Sequence, residues 1–170
     1  MSYWITTHWP PFEKDKPKPS SPDPEYHYRV SLPNGRQNAG QELSEGDLVF
    51  IYESKTGRPL KSGGKYAPGR KGVIALVSPL TSILEKPDGE SEEYQDGSSI
   101  CWKWQARTQV KKLGFCSHDN VCSILGYKRG YTFHGFGDQH SGLKRIDEET
   151  FKALLKCFRA GLNPTNLKES

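Results

Sequence analysis

The sequence lacks the patterns that mark a membrane span and those that mark the common enzyme families. No apolar run approaches the roughly eighteen residues of a membrane helix, and the first residues do not combine a basic segment with an apolar run, as a secretory signal does. The sequence also has no G-x-S-x-G, Walker A, H-E-x-x-H or paired-carboxylate pattern. We therefore expect a recognition domain rather than an enzyme, without membrane contact.

Cysteine and histidine are few and lack the spacing of a metal site. The 4 cysteines contain no C-x-x-C pair and the 5 histidines show no ligand spacing, whereas a structural zinc site uses two such clusters. Because disulfide bonds need an oxidising compartment, we expect free thiols in a cytoplasmic protein. We expect no metal and no cofactor; a small nucleotide-processing enzyme that uses His8, His134 or a cysteine stays an alternative.

The chain has the length and composition of one turn-rich domain. Its 170 residues include 17 glycines and 12 prolines, and only 34% are hydrophobic. One domain of this length buries a core without disulfides or metals, and frequent glycine and proline favour a β-rich or mixed architecture. We expect a single domain over residues 1–162 and a tail or the start of a linker over residues 163–170.

Apolar runs and alternation predict several strands and two helices. Short strands are expected at residues 3–7, 48–52 and 73–77, and residues 99–111 alternate as one longer strand. Helices are expected at residues 118–125, capped by Ser117 and stopped by Gly126, and at residues 147–159. Residues 54–70 are expected to be a mobile loop, and residues 85–97 an acidic, turn-rich segment. The fold class is α+β: a curved sheet or half-open β-barrel of about five to six strands flanked by short helices.

Aromatic residues exceed the needs of a modest core. The chain has 4 Trp, 8 Tyr and 7 Phe, and several lie among polar neighbours. Trp102 and Trp104 are expected on one face of a strand, where they either fill the core or stack on a planar ring. Trp4 and Trp9 flank polar residues at the end of the first strand, and Tyr28 belongs to a second aromatic group.

Basic residues are clustered, and the formal net charge is +4. A surplus of this kind is compatible with a polyanion but does not require one. Where basic side chains lie together in a loop, they are candidates for phosphate contacts. The candidates are Lys55, Arg58, Lys61, Lys65, Arg70, Lys71, Lys103, Arg107, Lys128 and Arg129.

Three blocks of sequence resemble the EVE family. The opening YWITTHWP of residues 3–10 is similar to the aromatic first strand of EVE domains and its proline-containing turn. The block GDLVFIY of residues 46–52 and the strand GVIALV of residues 72–77 match the next two strands, with Ala75 in place of a small glycine. Residues 114–144 look like EVE modules attached to modification-dependent restriction endonucleases.

The resemblance implies a PUA-like fold, shared with YTH and SRA domains, whose aromatic pocket receives a flipped modified base. The base is methylated or hydroxymethylated cytosine, or N6-methyladenine, in double-stranded DNA, and a nuclease domain is expected in the same longer chain. Residues 30–34 do not reproduce the Arg-Asn pair of ordinary EVE domains. The candidate pocket residues are Trp4, Thr7, His8, Trp9, Tyr28, Asn34, Trp102, Trp104 and Phe136.

Two other kinds of binding module stay open from the sequence. An RNA-modification reader is one, because PUA-like and YTH domains also take RNA. A protein-interaction domain that uses the proline-rich residues 10–24 is the other.

Overall fold

The computed structural model describes residues 1–13, 28–128 and 142–160, without the side chains of residues 87–90 and 160. These parts form eight strands and two α-helices, and a short 3-10 helix covers Gln37–Gly40. The strands are β1 (Tyr3–His8), β2 (Val30–Leu32), β3 (Leu48–Glu53), β4 (Gly72–Pro79), β5 (Leu84–Glu93), β6 (Ser99–Ala106), β7 (Thr108–Ser117) and β8 (Leu143–Ile146). The helices are α1 (His118–Leu125) and α2 (Glu148–Ala160).

Five of the strands form the larger sheet, in the order β7-β4-β3-β1-β8. Strand β1 runs parallel to β3, with Ile5 opposite Phe50 and His8 opposite Glu53, and its other edge pairs antiparallel with β8. Strands β3 and β4 are the continuous apolar runs of the sequence, as central strands covered on both faces are expected to be. Because β1 and β3 are parallel, their carboxyl ends lie side by side.

The smaller sheet has the order β2-β6-β5. Two sequence predictions are wrong here. Residues 85–97 are not only turns, because β5 covers Leu84–Glu93 and pairs with β6; at the edge of a sheet its acidic side chains can still reach solvent. Residues 99–111 are not one strand, because the chain passes at Arg107 from β6 in the smaller sheet to β7 in the larger.

The predicted fold class is confirmed. The described residues combine two α-helices with curved, unclosed sheets, as a PUA-like α+β fold does. They contain more strands than the five or six expected, since β5 is an added strand and the alternating segment divides into two.

The core consists of two apolar clusters on opposite faces of the larger sheet. The helix-side cluster contains Ile5, Phe50 and residues of both α-helices. The inter-sheet cluster contains Trp4, Val49, Ile51 and residues of the smaller sheet. Successive side chains of a strand point to opposite faces, so each position of β1 and β3 belongs to one side or the other.

Both helices begin and end as their sequences predict. Ser117 accepts a hydrogen bond from the backbone N–H of Asn120, and Gly126 ends α1 with a positive φ of 76°. Asp147 accepts a hydrogen bond of 2.7 Å from the backbone N–H of Thr150 at the start of α2.

The expectation of four free thiols is wrong for one pair. Cys116 of β7 and Cys157 of α2 form a disulfide with their Cα atoms 5.5 Å apart, whereas Cys101 and Cys122 are free. The two partners are 41 residues apart in sequence and meet only because α2 packs on β7, so spacing in the sequence could not reveal the pair.

Within residues 1–13, 28–128 and 142–160, no helix is long and apolar enough to cross a membrane. The predicted tail, residues 163–170, and the candidate residues Arg129, His134 and Phe136 lie outside the described residues.

Asp47 joins the N-terminus to the turn before β3. Its carboxylate accepts hydrogen bonds from the backbone N–H groups of Ser2 and Ser44 and from the indole Nε1 of Trp4, at 2.9 to 3.0 Å. Burial opposes ionisation, but these three donors outweigh it and hold the pKa of Asp47 below its ordinary value. Asp47 therefore stabilises the fold as a carboxylate.

We expect Asp47→Asn to lower the free energy of unfolding at neutral pH by about 2 kcal/mol or more, because an amide cannot accept all three bonds. Since the folded pKa is lowered, the stabilisation is present above the ordinary pKa and is lost as pH falls through the folded pKa. Urea denaturation of both proteins should therefore show a difference that shrinks in acid. The exposed Glu45→Gln is the control, and an equal loss in both variants would contradict this account.

Candidate nucleic-acid interface

Five aromatic side chains gather around Trp9, immediately after β1. The Trp9 ring centroid lies 6.0 Å from that of Tyr66, 5.6 Å from Tyr94 and 5.9 Å from Trp102, all in edge-to-face contact. Phe12 extends the group, with its ring 5.1 Å from Tyr66. We call Trp9, Phe12, Tyr66, Tyr94 and Trp102 the aromatic cluster. Such edge-to-face pairs add stability beyond the area they bury.

The aromatic cluster is assembled from three parts of the chain. Residues 9–12 leave β1 and form an isolated bridge from Phe12 to Tyr66, and the backbone N–H of Ala67 donates to the carbonyl of Pro11 at 2.8 Å. Gly57 lies directly beneath the Tyr66 ring, where a Cβ would overlap it. Tyr94 follows β5 and Trp102 belongs to β6, so the cluster joins the end of β1 to the smaller sheet.

The two tyrosines of the cluster are held in the neutral form. Burial, followed by the nearby Glu92 carboxylate, raises the pKa of Tyr66 to about 12. The same two causes raise the pKa of Tyr94, which is 1% exposed. The Arg58 guanidinium lies 5.0 Å from the Tyr94 ring centre and donates to the Ser98 hydroxyl. A cation over an aromatic ring closes the outer side of the cluster.

A polar group lies at the carboxyl ends of β1 and β3, on the side of the sheet that faces the inter-sheet cluster. Glu53 is 5% exposed and accepts a hydrogen bond of 2.9 Å from the backbone N–H of Arg70. Burial and then the charge of Glu53 raise the pKa of Tyr28, and the charge of Arg70 opposes them. Val49 and Ile51, two and four positions before Glu53 on β3, belong to the inter-sheet cluster, so alternation directs Glu53 to the same side.

Trp104 carries a buried donor at this interface. Its ring packs against the inter-sheet cluster, next along β6 from Trp102 on the same face. Its indole Nε1 is buried and has no hydrogen-bond partner among the described residues. Buried N–H groups almost always have an acceptor, so a ligand acceptor at this point would satisfy it.

The structure brings together part of the predicted pocket. Trp9 and Trp102 are in contact, and Trp104 and Tyr28 both pack against the inter-sheet cluster. His8 is half-buried at the end of β1, opposite Glu53. These residues remain candidates for ligand contact.

Three other predicted pocket residues lie elsewhere in the described structure. Trp4 is 4% exposed in the inter-sheet cluster, with its Nε1 bound to Asp47. Thr7 points to the helix side, because neighbouring positions on β1 alternate; its buried Oγ1 has no partner among the described residues. Asn34 is exposed beyond β2. The first-strand prediction placed Thr7 and His8 on one side, which a strand does not allow.

Sequence reasoning missed Phe12, Tyr66, Tyr94 and Glu53. Tyr94 was hidden in the segment interpreted as acidic turns, and Tyr66 in the segment interpreted as a mobile loop. A tyrosine beside glycine in a basic stretch, such as Tyr66, was the available signal, but nothing local shows that it packs on Trp9.

The basic loop, residues 54–71, does not lie free as predicted. Backbone hydrogen bonds tie it to residues after β1 and to β5: Glu13 N–H donates to Lys65 at 2.8 Å, and Lys61 N–H donates to Glu93 at 3.0 Å. Buried Leu60 and Ala67 anchor it. The candidate phosphate contacts Lys55, Arg58, Lys61, Lys65, Arg70 and Lys71 are all exposed on this framework.

The remaining basic candidates are separate from the loop. Lys103 is paired with Glu85 at 3.1 Å, and Arg107 is exposed where β6 passes into β7. Lys128 is exposed after α1.

His118 joins two other buried groups on the helix side. Its Nδ1 is 2.8 Å from the Tyr52 hydroxyl and its Nε2 is 3.5 Å from the Cys122 sulfur. Burial raises the pKa of the Cys122 thiol, so the thiolate needed for nucleophilic attack is disfavoured. Within the part of the chain that the structure describes, no three metal-binding side chains cluster.

No protein-family model matches the chain, and no curated protein sequence matches it. Among solved structures, human THYN1 in complex with DNA containing 5-methylcytosine is similar, with a TM-score of 0.50 and 13% identity over 92% of this chain and 96% of that one. Rpa0253 of Rhodopseudomonas palustris (TM-score 0.48, 13% identity, 96% of each chain) and PSPTO5229 of Pseudomonas syringae (0.47, 13%, 91% of this chain and 98% of that one) are also similar.

The chain has an EVE-like fold. The resemblance seen in the sequence is thereby confirmed for the fold, and the restriction-nuclease context stays a prediction. In this EVE-like fold, the aromatic cluster and the Glu53 group lie where the first strand ends and the two sheets face each other.

We expect the contact between Trp9 and Trp102 to appear as a coupling energy. In a double-mutant cycle of Trp9→Ala and Trp102→Ala, the unfolding free energies should be non-additive by about 1 kcal/mol, because each change removes the same edge-to-face pair. Trp9→Ala with Phe151→Ala is the control, since Phe151 packs on the opposite face. Equal coupling in both cycles would show that the Trp9 contact is not specific.

Proposed function

We propose that this chain binds double-stranded DNA carrying a modified base and holds the flipped base at the aromatic cluster. The observation that carries the proposal is Trp102 and Trp104 on one strand face, beside Trp9 and an unpartnered buried indole N–H. The fold shared with THYN1, which is known in complex with 5-methylcytosine DNA, supports it. The modification is methylcytosine, hydroxymethylcytosine or N6-methyladenine.

Stacking is the main source of affinity in this proposal. A base stacked on an aromatic side chain gains about 1–3 kcal/mol, which offsets the few kcal/mol needed to extrude it from the duplex. In the structure Trp9 meets Trp102 edge-on at 88°. An entering base displaces this edge and stacks face-on, and the added methyl group gains apolar contact with the surrounding rings.

Polar groups at the ends of β1 and β3 recognise the edge of the base. The Glu53 carboxylate is an acceptor for the exocyclic amino group that both cytosine and adenine carry. The Trp104 indole N–H is a donor for a ring nitrogen or carbonyl of the same base. Thymine offers no amino group to a carboxylate, so the pair favours amino-bearing bases.

The basic loop contacts the phosphate backbone. Its exposed cations stand on a framework anchored to the aromatic cluster through Tyr66 and Phe12, so phosphate contacts and base capture are made by one connected unit. Phosphate contacts fix the position of the protein on the duplex without reading sequence.

We further propose that the chain is a recognition module that directs a nuclease domain of a longer protein, and is not itself an enzyme. The raised pKa of the buried Cys122 thiol supports the second statement. An RNA reader is the competing function, and it is separated from the first by the choice of probe.

Fluorescence anisotropy should distinguish matched duplexes that differ in one base. We expect tighter binding to a duplex with one of the three modifications than to the unmodified duplex or to matched single-stranded RNA. Trp102→Ala should weaken binding to the modified duplex by about tenfold or more and affect the unmodified duplex less. Tyr127→Ala, an aromatic change on the helix side, is the control. Equal affinity for modified and unmodified DNA would overturn the proposal, and stronger binding to modified RNA would replace it.

The loop cations should act differently from the aromatic residues. We expect Lys55→Ala with Lys71→Ala to weaken modified and unmodified duplexes by the same factor and to reduce the slope of log affinity against log salt by about one per contact. Lys152→Ala on the exposed face of α2 is the control. An unchanged salt slope would remove the loop from the interface.

A further inference from the structure

A second concave site borders the aromatic cluster. It is a cleft of about 1010 Å³ between the turn at residues 60–65, β5 and the segment that follows β1. The Phe12 ring forms part of its wall and also packs on Tyr66 of the cluster. The cleft is therefore next to the proposed base site but separate from the space between the two sheets. Its volume is at the upper end of those found for small-molecule sites.

The lining of the cleft combines three kinds of group. Phe12 and Leu60 are apolar, and Leu60 is 8% exposed. Glu92 supplies a half-buried carboxylate close enough to Tyr66 and Tyr94 to raise the pKa of both. Lys65 stands exposed at the rim.

The turn at the rim is shaped for close approach of a ligand. Gly63 has a positive φ of 77°, and a Cβ there would meet no atom within 4 Å. Its backbone N–H donates to Leu60 at 3.1 Å, which holds the turn. Lys61 faces Glu93 at 3.6 Å across the opening, with both side chains exposed, so Lys65 is the rim cation that this ion pair does not involve.

We infer that this cleft binds a nucleotide that carries an amino-bearing base, and that in the DNA complex it holds the nucleotide next to the captured base. An aromatic ring stacks on the base, a carboxylate accepts from its amino group, and a rim ammonium contacts its phosphate. The second part of the inference rests on the proposed function, whereas the first does not.

The composition of the cleft distinguishes this ligand from a phosphate group alone. Glu13, Glu92 and Glu93 line the site together with two lysines. This surplus of carboxylates opposes a bare anion, but it suits a base whose edge donates hydrogen bonds. The consequence for recognition is a preference for cytosine or adenine beside the modified base, because thymine has no amino group.

Chemical-shift perturbation in the full-length, nitrogen-15-labelled chain tests the site directly. The probes are CMP, AMP, TMP and inorganic phosphate at millimolar concentration. We expect CMP and AMP to shift the amide signals of Ser62, Gly63 and Gly64, with TMP markedly weaker and phosphate without saturable effect. Glu92→Gln should weaken CMP binding by about tenfold, since a hydrogen bond to a charged acceptor is lost.

Two further variants keep the result interpretable. Lys65→Ala should weaken CMP but not the nucleoside cytidine, and Lys111→Ala on the distant exposed part of β7 should change neither. No shift at residues 62–64, or equal shifts with TMP and CMP, would overturn the nucleotide site.

The duplex experiment separates this inference from the proposed function. Saturable CMP binding in the cleft without discrimination of modified duplexes would overturn the proposed function and leave the nucleotide site standing. Discrimination of modified duplexes that does not change when the flanking cytosine is replaced by thymine would overturn the flanking role.

Discussion

The parallel pairing of β1 with β3 is the constraint on which the candidate site depends. Because the two strands run in the same direction, His8 and Glu53 end side by side, and the chain leaves β1 at Trp9 directly beside the start of the basic loop. The hydrogen bond from Ser54 N–H to the carbonyl of His8, at 2.9 Å, continues the pairing beyond the strands. Aromatic residues, a buried carboxylate and exposed cations are therefore gathered at one edge of the sheet.

The two faces of the larger sheet have different roles. On the helix side, Phe50, Phe151 and Phe158 form a closed apolar core, and the Cys116–Cys157 disulfide fixes α2 to β7. On the other side the smaller sheet covers only part of the surface, and its strand β6 presents Trp102 and Trp104 at the opening. The helix side stabilises the sheet, while the inter-sheet side leaves aromatic surface and an unpartnered donor for a ligand.

The basic loop links these features to the second cleft. Its backbone is held between the segment after β1 and β5, so its turn at residues 60–65 forms a wall of the cleft, while Tyr66 packs in the aromatic cluster. A loop fixed at both places can present cations without moving the rings. The proposed capture of a base and the proposed reading of its neighbour thus depend on the same short stretch of chain.

The sequence by itself determined the class of fold, the apolar central strands, both helices with their caps, and the common face of Trp102 and Trp104, because each follows from local periodicity or capping. Only the tertiary structure decided that Tyr66 and Tyr94 surround Trp9, that Thr7 turns away from His8's side, that Trp4 is a core residue, and that Cys116 meets Cys157. These depend on contacts between residues far apart in sequence, such as the register of β1 with β3 and the packing of β6 over the end of β1, which no local pattern encodes.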